Sequence, residues 1–97
     1  MPKYLLSPQA QKSLIQIGQY TFENFGQQQK TYYLKMLRKR MRTAAKNPDK
    51  GRDRRDIKTG YYSLEAEKHH IYYRIRDTHI EIIDVLHQSM EPKIHIG

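Results

Sequence analysis

Two amphipathic helical patterns that follow one another almost directly constrain this chain more than any other feature of its sequence. Ser7 and Pro8 mark the start of the first, because a serine side chain can cap free amide groups and proline fits the first helical position. Four residues then recur at helical spacing on one face: Ala10, Leu14, Ile17 and Thr21. Gly26 ends this helix, since glycine tolerates the left-handed conformation found at helix termini.

The second pattern combines an apolar stripe with a strongly basic remainder. The stripe comprises Tyr33, Leu34, Leu37, Met41, Ala44 and Ala45. The rest of the circumference carries Lys35, Arg38, Lys39, Arg42 and Lys46. Asn47 ends the helix because the residue before Pro48 is driven out of the helical region. Two helices of similar length, joined by only a couple of residues, are expected to pack as an antiparallel hairpin.

Strands are predicted on both sides of the helices. Lys3–Leu6 forms a short strand before them, and residues 49–60 form a charged loop, anchored by Ile57, after them. Three segments rich in aromatic and β-branched residues then alternate with period two: Tyr61–Glu65, His70–Arg76 and Ile80–His87. Tight turns near residues 67–68 and 77–78 make these three an antiparallel meander. The expected order is β-α-α-β-β-β, an α+β fold with the helical hairpin packed on an antiparallel sheet.

The alternation within the meander predicts which side chains face the helices. The inward set is Ile71, Tyr73, Ile75, Ile80, Ile82 and Leu86. The opposite, partly open face is predicted to carry His70, Tyr72, Arg74, Arg76, Glu81, Ile83, Val85 and His87. A set of His70, Tyr72, Arg74 and His87 on that face offers acid, base and cationic groups. The alternative is that these side chains only pack and pair on an exposed sheet.

Size and composition indicate a single domain, residues 1–97, in the cytoplasm. The chain has no cysteine, which excludes disulfides and thiolate metal sites. The N-terminal residues 1–8 have one charge and a brief apolar patch, unlike a signal peptide, and no run approaches the roughly 20 apolar residues of a membrane span. The five histidines lack metal-ligand spacing, so neither a metal nor a cofactor is expected.

The positive charge is concentrated in one block. The formal net charge is +8, and residues 30–58 carry twelve Lys or Arg against three Asp, a local net of +9. The remaining 68 residues have a net charge of −1. Such a block favours an anionic macromolecular partner, which is nucleic acid, anionic lipid or an acidic protein surface. The alternative is a solvated helix face followed by a loosely held loop.

The order of several short motifs resembles the ParE/RelE superfamily of bacterial toxins, and the ParE branch in particular. The resemblance begins at Tyr4–Ala10 and continues through Leu14, Ile17, Tyr20 and Gly26. Further matching segments are Asn47-Pro48 with Gly51-Arg52, Gly60–Leu64, His70–Ile75, and Val85–Gln88 with Met90. No single motif is specific, but their order and spacing span about ninety residues. The resemblance implies the toxin of a type II toxin–antitoxin pair.

Two toxin activities occur in the superfamily. ParE-like members inhibit DNA gyrase by trapping its cleaved-DNA complex, whereas RelE-like members are ribosome-dependent endonucleases that cut messenger RNA. RelE-like proteins carry an arginine where this chain has His70, and a basic C-terminal tail where this chain has residues 88–92. The resemblance therefore favours gyrase inhibition without catalysis. The alternatives are an endonuclease that uses His70, Tyr72, Arg74 and His87, and an inactive toxin that only binds antitoxin.

The same resemblance implies two binding surfaces. Target contacts with gyrase or its DNA are expected from Arg52, Arg54, Arg55, Lys58, Arg74 and His87. A ParD-like antitoxin of the ribbon-helix-helix type is the expected partner, with an amphipathic segment that folds into an apolar groove. Apolar residues surplus to so small a core are the candidates for that groove: Leu5, Ile15, Phe22, Phe25, Tyr32 and Tyr33. Asp84 stands where many relatives carry a basic residue, which would alter any target contact at that position.

Overall fold

A computed structural model describes residues 3–96 of the chain. Its helices are α1 (Pro8–Phe25), α2 (Gln27–Lys46) and a short C-terminal α3 (Pro92–His95), with a 3-10 turn at Pro48–Lys50. Its strands are β1 (Tyr4–Leu6), β2 (Arg52–Asp53), β3 (Tyr61–Ala66), β4 (His69–Ile75) and β5 (Ile80–His87). The predicted α+β order is confirmed, and β2 and α3 are additions that the sequence patterns did not predict. Within residues 3–96, neither long helix has the apolar length needed to cross a membrane.

The helical hairpin forms as predicted, through the capping residues at its ends. The Ser7 side chain accepts a hydrogen bond from the Ala10 amide at 3.0 Å and donates one to the Ile83 carbonyl at 2.7 Å. Gly26 has a φ of 91° and alone separates α1 from α2. Gly18 lets the two helices approach closely, because a Cβ at that position would lie 3.2 Å from a Leu34 methyl group. The caps and the small Gly18 therefore allow the two helices to pack closely as a hairpin, which covers one face of the sheet.

The sheet contains five strands in the order β1-β5-β4-β3-β2. Strands β2 to β5 are antiparallel, but β1 runs parallel to β5, with Tyr4 opposite Ile80. The predicted antiparallel meander is confirmed, and the parallel pairing of the edge strand β1 is a feature that the sequence patterns did not predict. A parallel neighbour needs a crossover rather than a tight turn, and the chain between β1 and β5 passes through the helical hairpin and the rest of the meander.

A β-bulge in β5 reverses which side of the sheet the side chains in the second half of the strand face. Tyr72 pairs with Asp84 but Tyr73 pairs with Ile82, so Ile83 is an extra residue in β5. Such a bulge shifts the alternation by one position. Val85 therefore packs in the core beneath the helices, whereas Leu86 pairs with His70 and was wrongly predicted to face inward.

The core lies between the hairpin and the sheet. Its largest fully buried side chains are Tyr73, Leu37, Met41, Ile71, Ile80 and Ile82. The Tyr73 side chain crosses the core, and its hydroxyl donates a hydrogen bond to the Pro48 carbonyl at 2.8 Å. This bond connects β4 to the segment that follows α2. Ile75 was also predicted to face the core, but it is 42% exposed at the end of β4, beside the tight turn.

Candidate functional site

A groove of about 930 Å³ lies along α1, and it is called the α1 groove below. Its walls come from α1, the first turns of α2, the β3–β4 turn, the end of β5 and residues 90–95. Four apolar side chains line it while remaining exposed: Tyr20, Phe25, Met90 and Ile94. Lys12 and Lys68 stand on its rim, with Glu67 as the acidic neighbour of Lys68. The groove therefore combines exposed apolar side chains with the cations Lys12 and Lys68, while Glu67 and the buried Asp84 are its acidic members, and this combination suits an amphipathic segment.

A cluster of Tyr33, His69 and His87 forms one end of this groove. The Tyr33 hydroxyl lies 2.5 Å from His69 Nδ1 and accepts a hydrogen bond from the Lys68 amide at 3.3 Å. The His69 and His87 rings meet edge to face at 5.3 Å, because the two residues pair across β4 and β5. A neutral His69 either accepts or donates this hydrogen bond at Nδ1 according to its tautomer, whereas Nδ1 of the imidazolium only donates. Burial is the main cause that lowers the pKa of His69 to about 4, and the nearby His87 and His70 add to it.

The half-buried His69 side chain, with its lowered pKa, predicts that the stability of the fold depends on pH. The ordinary pKa of 6.5 applies to the unfolded chain, so below that pH the unfolded state binds a proton that the folded state resists. The free energy of unfolding should therefore fall as the pH is lowered from 6.5 to about 4, by up to about 3 kcal/mol from this group. Urea denaturation of wild type and His69→Gln between pH 7 and pH 4 measures it. The variant should lose much of the slope, whereas His79→Gln, in the tight turn after β4, should keep it.

Asp84 is a buried carboxylate of β5 that connects the sheet to α1. Its Oδ1 accepts hydrogen bonds from the Ser13 hydroxyl at 2.5 Å and from the Val85 amide at 2.8 Å. Burial raises the pKa of this carboxyl, while the Ser13 and Val85 hydrogen bonds lower it. The residue that departs from the pattern of the resembling proteins thus lies at a helix–sheet contact and does not project from the surface.

The open face of the sheet carries His70, Tyr72 and Arg74, but without His87. The bulge turns His87 to the helix side, where it contacts His69, and its Nδ1 lies 2.8 Å from the Ser89 hydroxyl. Arg74 is paired with Glu81 at 2.6 Å. The four residues predicted to assemble on one face therefore do not, and the cation among them is already neutralised.

Tyr72 is covered on this face by an arginine of the charged loop. Tyr72 is 2% exposed, and the Arg54 guanidinium lies over its ring at 5.4 Å. Arg54 also makes two hydrogen bonds of 3.1 Å to Asp56, and its side chain is only 12% exposed. The carboxyl of Asp56 has a lowered pKa because Arg54 donates to it. Arg54 thus acts as a packed, paired group of the sheet.

The rest of the predicted target-binding loop is only partly neutralised within the chain. Arg55 binds Asp53 at 2.9 Å, and this hydrogen bond lowers the pKa of the Asp53 carboxyl. The Lys58 ammonium lies 6.0 Å from the centre of the Tyr61 ring. Arg52 is exposed on β2. Of the six predicted target-binding residues, Arg54, Arg55 and Arg74 therefore have carboxylate partners within the chain, and His87 lies on the other face.

The residues predicted to form one antitoxin groove are spread over separate surfaces. Phe25 and Tyr33 line the α1 groove, but Tyr33 is buried in the core and offers little free surface. Leu5 lies by the β4–β5 turn in a second, shallow depression. Tyr32 binds Glu67 through its hydroxyl at 3.1 Å.

Ile15 and Phe22 do not line the α1 groove and lie seven residues apart, on one face of α1. The groove instead uses Tyr20, Met90 and Ile94, which the sequence reasoning did not select. A helical projection of α1 places Tyr20 on a different side from Ile15, so the sequence held a signal for Tyr20. Met90 and Ile94 lie in a segment without hydrophobic periodicity, so the sequence held no comparable signal for them.

Comparison with solved structures defines the class of fold. The chain superposes with a TM-score of 0.78 on a structure described as the chromosomal ParDE toxin–antitoxin system from P. aeruginosa, over 90% of this chain and 96% of that one. The identity of that pair is 15%, so this likeness concerns the fold. The fold is that of the ParE/RelE toxins.

The sequence comparisons give the family. Residues 4–92 match the family described as the ParE toxin of the type II toxin–antitoxin system, parDE. The chain is 39% identical over 90 residues to toxin ParE1 of Mycobacterium tuberculosis, which covers 92% of both proteins. It is 32% identical over 97 residues to toxin ParE1 of Caulobacter vibrioides, over the full length of both. The chain belongs to the ParE family of toxins from toxin–antitoxin systems, which confirms the resemblance found in its motifs.

Proposed function

We propose that this toxin inhibits DNA gyrase by trapping its cleaved-DNA complex, and that it does so without catalysing a hydrolysis. Membership of the ParE family over residues 4–92 carries this proposal. The open face of the sheet supports it, because Arg74 is paired with Glu81 and His87 lies on the opposite side. Acid–base cleavage of RNA uses a positioned acid, a base and a donor or cation that stabilises the charged transition state. A protein that traps a complex uses complementary shape and charge and no such catalytic set.

The proposal predicts a direct effect on gyrase. Purified toxin, incubated with gyrase, ATP and supercoiled plasmid, should cause linear DNA to accumulate after detergent and protease treatment. Omission of gyrase is the control, and it should leave the plasmid intact. If supercoiling proceeds normally and no linear DNA forms at a large excess of toxin over gyrase, the proposal is wrong.

The second candidate function is cleavage of messenger RNA at the ribosome. Its supporting observation is that His70 and Tyr72 still share one face of the sheet, with ring centres 6.3 Å apart. If this function is correct, induction of the toxin should cause cuts in transcripts, and His70→Ala should relieve them. A His70→Ala variant that stays fully toxic would exclude this function. An inactive toxin that retains only antitoxin binding would cause neither gyrase inhibition nor growth arrest.

The proposed neutralising partner is a ParD-like antitoxin of the ribbon-helix-helix type. Its amphipathic segment would occupy the α1 groove, because that groove combines exposed apolar side chains with the Lys12 and Lys68 rim. An apolar face flanked by acidic residues would be complementary to it. This assignment places the antitoxin on the side of α1 away from Ile15 and Phe22.

A further inference from the structure

Five exposed cations lie along the outer side of α2, and we call this surface the α2 basic stripe. They are Lys35, Arg38, Lys39, Arg42 and Lys46. Lys35, Lys39, Arg42 and Lys46 follow the spacing i, i+4, i+7 and i+11, which places them on one side of a helix, with Arg38 beside them. The buried residues of α2 are Tyr33, Leu37, Met41 and Ala44, on the opposite side. The row is about 16 Å long at 1.5 Å per residue.

The α2 basic stripe has no counter-charge within the described residues. Helix α2 contains no Asp or Glu between Gln27 and Lys46. In residues 3–96, no carboxylate lies within 4.0 Å of any of the five cations, whereas Arg54, Arg55, Arg74 and Arg76 are all paired. Most of the unpaired charge of the basic block therefore lies on α2, although Lys50, Arg52 and Lys58 of the loop also have no carboxylate within 4.0 Å among residues 3–96.

This arrangement is unfavourable for the isolated helix. Lys35 with Lys39, Arg38 with Arg42, and Lys39 with Arg42 are like charges at i, i+3 or i, i+4, and each such pair costs roughly 0.2–0.5 kcal/mol. Surfaces that serve only solubility usually intersperse both signs. The negative charges of a polyanionic partner would offset these repulsions, and such a partner would account for a row of like charges.

We propose that the α2 basic stripe binds the phosphate backbone of double-helical DNA, independently of base sequence. One strand of duplex DNA places a phosphate about every 3.4 Å of axis, so the row spans about five successive phosphates. The stripe contains no aromatic residue between its cations, as binding of single strands by base stacking would require. The apolar side of α2 is buried against α1 and the sheet, so it is not available to enter a membrane. The inference holds whether or not gyrase is the target.

The test is salt-dependent binding of the full-length toxin to a labelled 20-base-pair duplex, followed by fluorescence anisotropy without any other protein. Each phosphate contact contributes about −0.9 to the slope of log affinity against log salt. The variant Lys39→Gln/Arg42→Gln/Lys46→Gln should bind at least about tenfold more weakly at low salt, with a slope reduced by about 2.7. A control with the same charge change elsewhere, Lys3→Gln/Arg76→Gln/Lys93→Gln, should keep the wild-type slope.

Circular dichroism melting first establishes that both triple variants are folded. Equal losses in the two would mean that net charge alone governs binding, and would overturn the proposal. It would also be overturned if the single strand of the same sequence bound more tightly than the duplex, or if phosphatidylserine vesicles were bound and the duplex was not.

Discussion

Replacement of Gly51 by alanine is expected to lower the free energy of unfolding by about 3 kcal/mol, by overpacking the core. A Cβ at this position would overlap the Tyr73 hydroxyl and lie 2.8 Å from Tyr73 Cζ. Tyr73 is fully buried and its hydroxyl is bound to the Pro48 carbonyl, so the ring cannot move without loss of that hydrogen bond. Gly51 has an ordinary φ of −67°, so the cost is purely steric. Urea denaturation of the two proteins measures it.

Two further variants separate this steric effect from the general cost of losing a glycine. Gly60 has a φ of 91° with no atom near its Cβ position, so Gly60→Ala should cost only about 1 kcal/mol of conformational strain. The double variant Gly51→Ala/Tyr73→Phe removes the oxygen that the new methyl group meets. It should therefore be destabilised by less than the sum of its two single changes. A Gly51→Ala protein no less stable than Gly60→Ala would show that the close approach is absent in solution.

Introduction of a carboxylate into the α1 groove is expected to weaken binding of the proposed antitoxin at least about 100-fold, or about 2.8 kcal/mol. Tyr20→Asp is suitable because Tyr20 lines the groove and is 64% exposed, so the fold does not depend on its burial. The new charge would lose its water when covered and would repel an acidic partner. Isothermal titration calorimetry with the antitoxin measures the affinity, and co-expression should show that Tyr20→Asp escapes neutralisation.

The matched control for this change lies on the same helix. Ile15 is 71% exposed and outside the groove, so Ile15→Asp should leave the affinity for the antitoxin unchanged. The opposite result, with Ile15→Asp harmful and Tyr20→Asp neutral, would place the antitoxin on the outer surface of the hairpin. That outcome would restore the grouping of Ile15 with Phe22 that the sequence alone suggested.

The basic residues between 30 and 58 show which properties of a charged surface the sequence determines and which the structure determines. The sequence locates the excess charge between residues 30 and 58 and indicates a macromolecular partner. It does not say which cations are free, because a pairing depends on where side chains point. In the loop, Arg54 and Arg55 each turn to an aspartate two residues away. The five cations of the α2 basic stripe are exposed and have no carboxylate within 4.0 Å in residues 3–96, so α2 carries most of the unpaired charge of the block.

The helices, the meander and the family followed from the sequence by itself. Capping residues and hydrophobic period are local properties, and they placed the hairpin between Ser7 and Asn47 because local backbone preferences act over a few residues. The motifs kept their order over the whole domain, which was sufficient to identify the toxin family.

Only the tertiary structure decided which residues come together. One extra residue in β5 turned His87 toward His69 and away from the open face, because a strand alternates with period two and a single insertion reverses every later side chain. The α1 groove joins residues as distant in sequence as Tyr20 and Ile94. The parallel pairing of β1 with β5 and the burial of Asp84 against Ser13 likewise depend on long-range contacts. Periodicity reports the face of each element, but contacts between distant elements are set by how those faces pack.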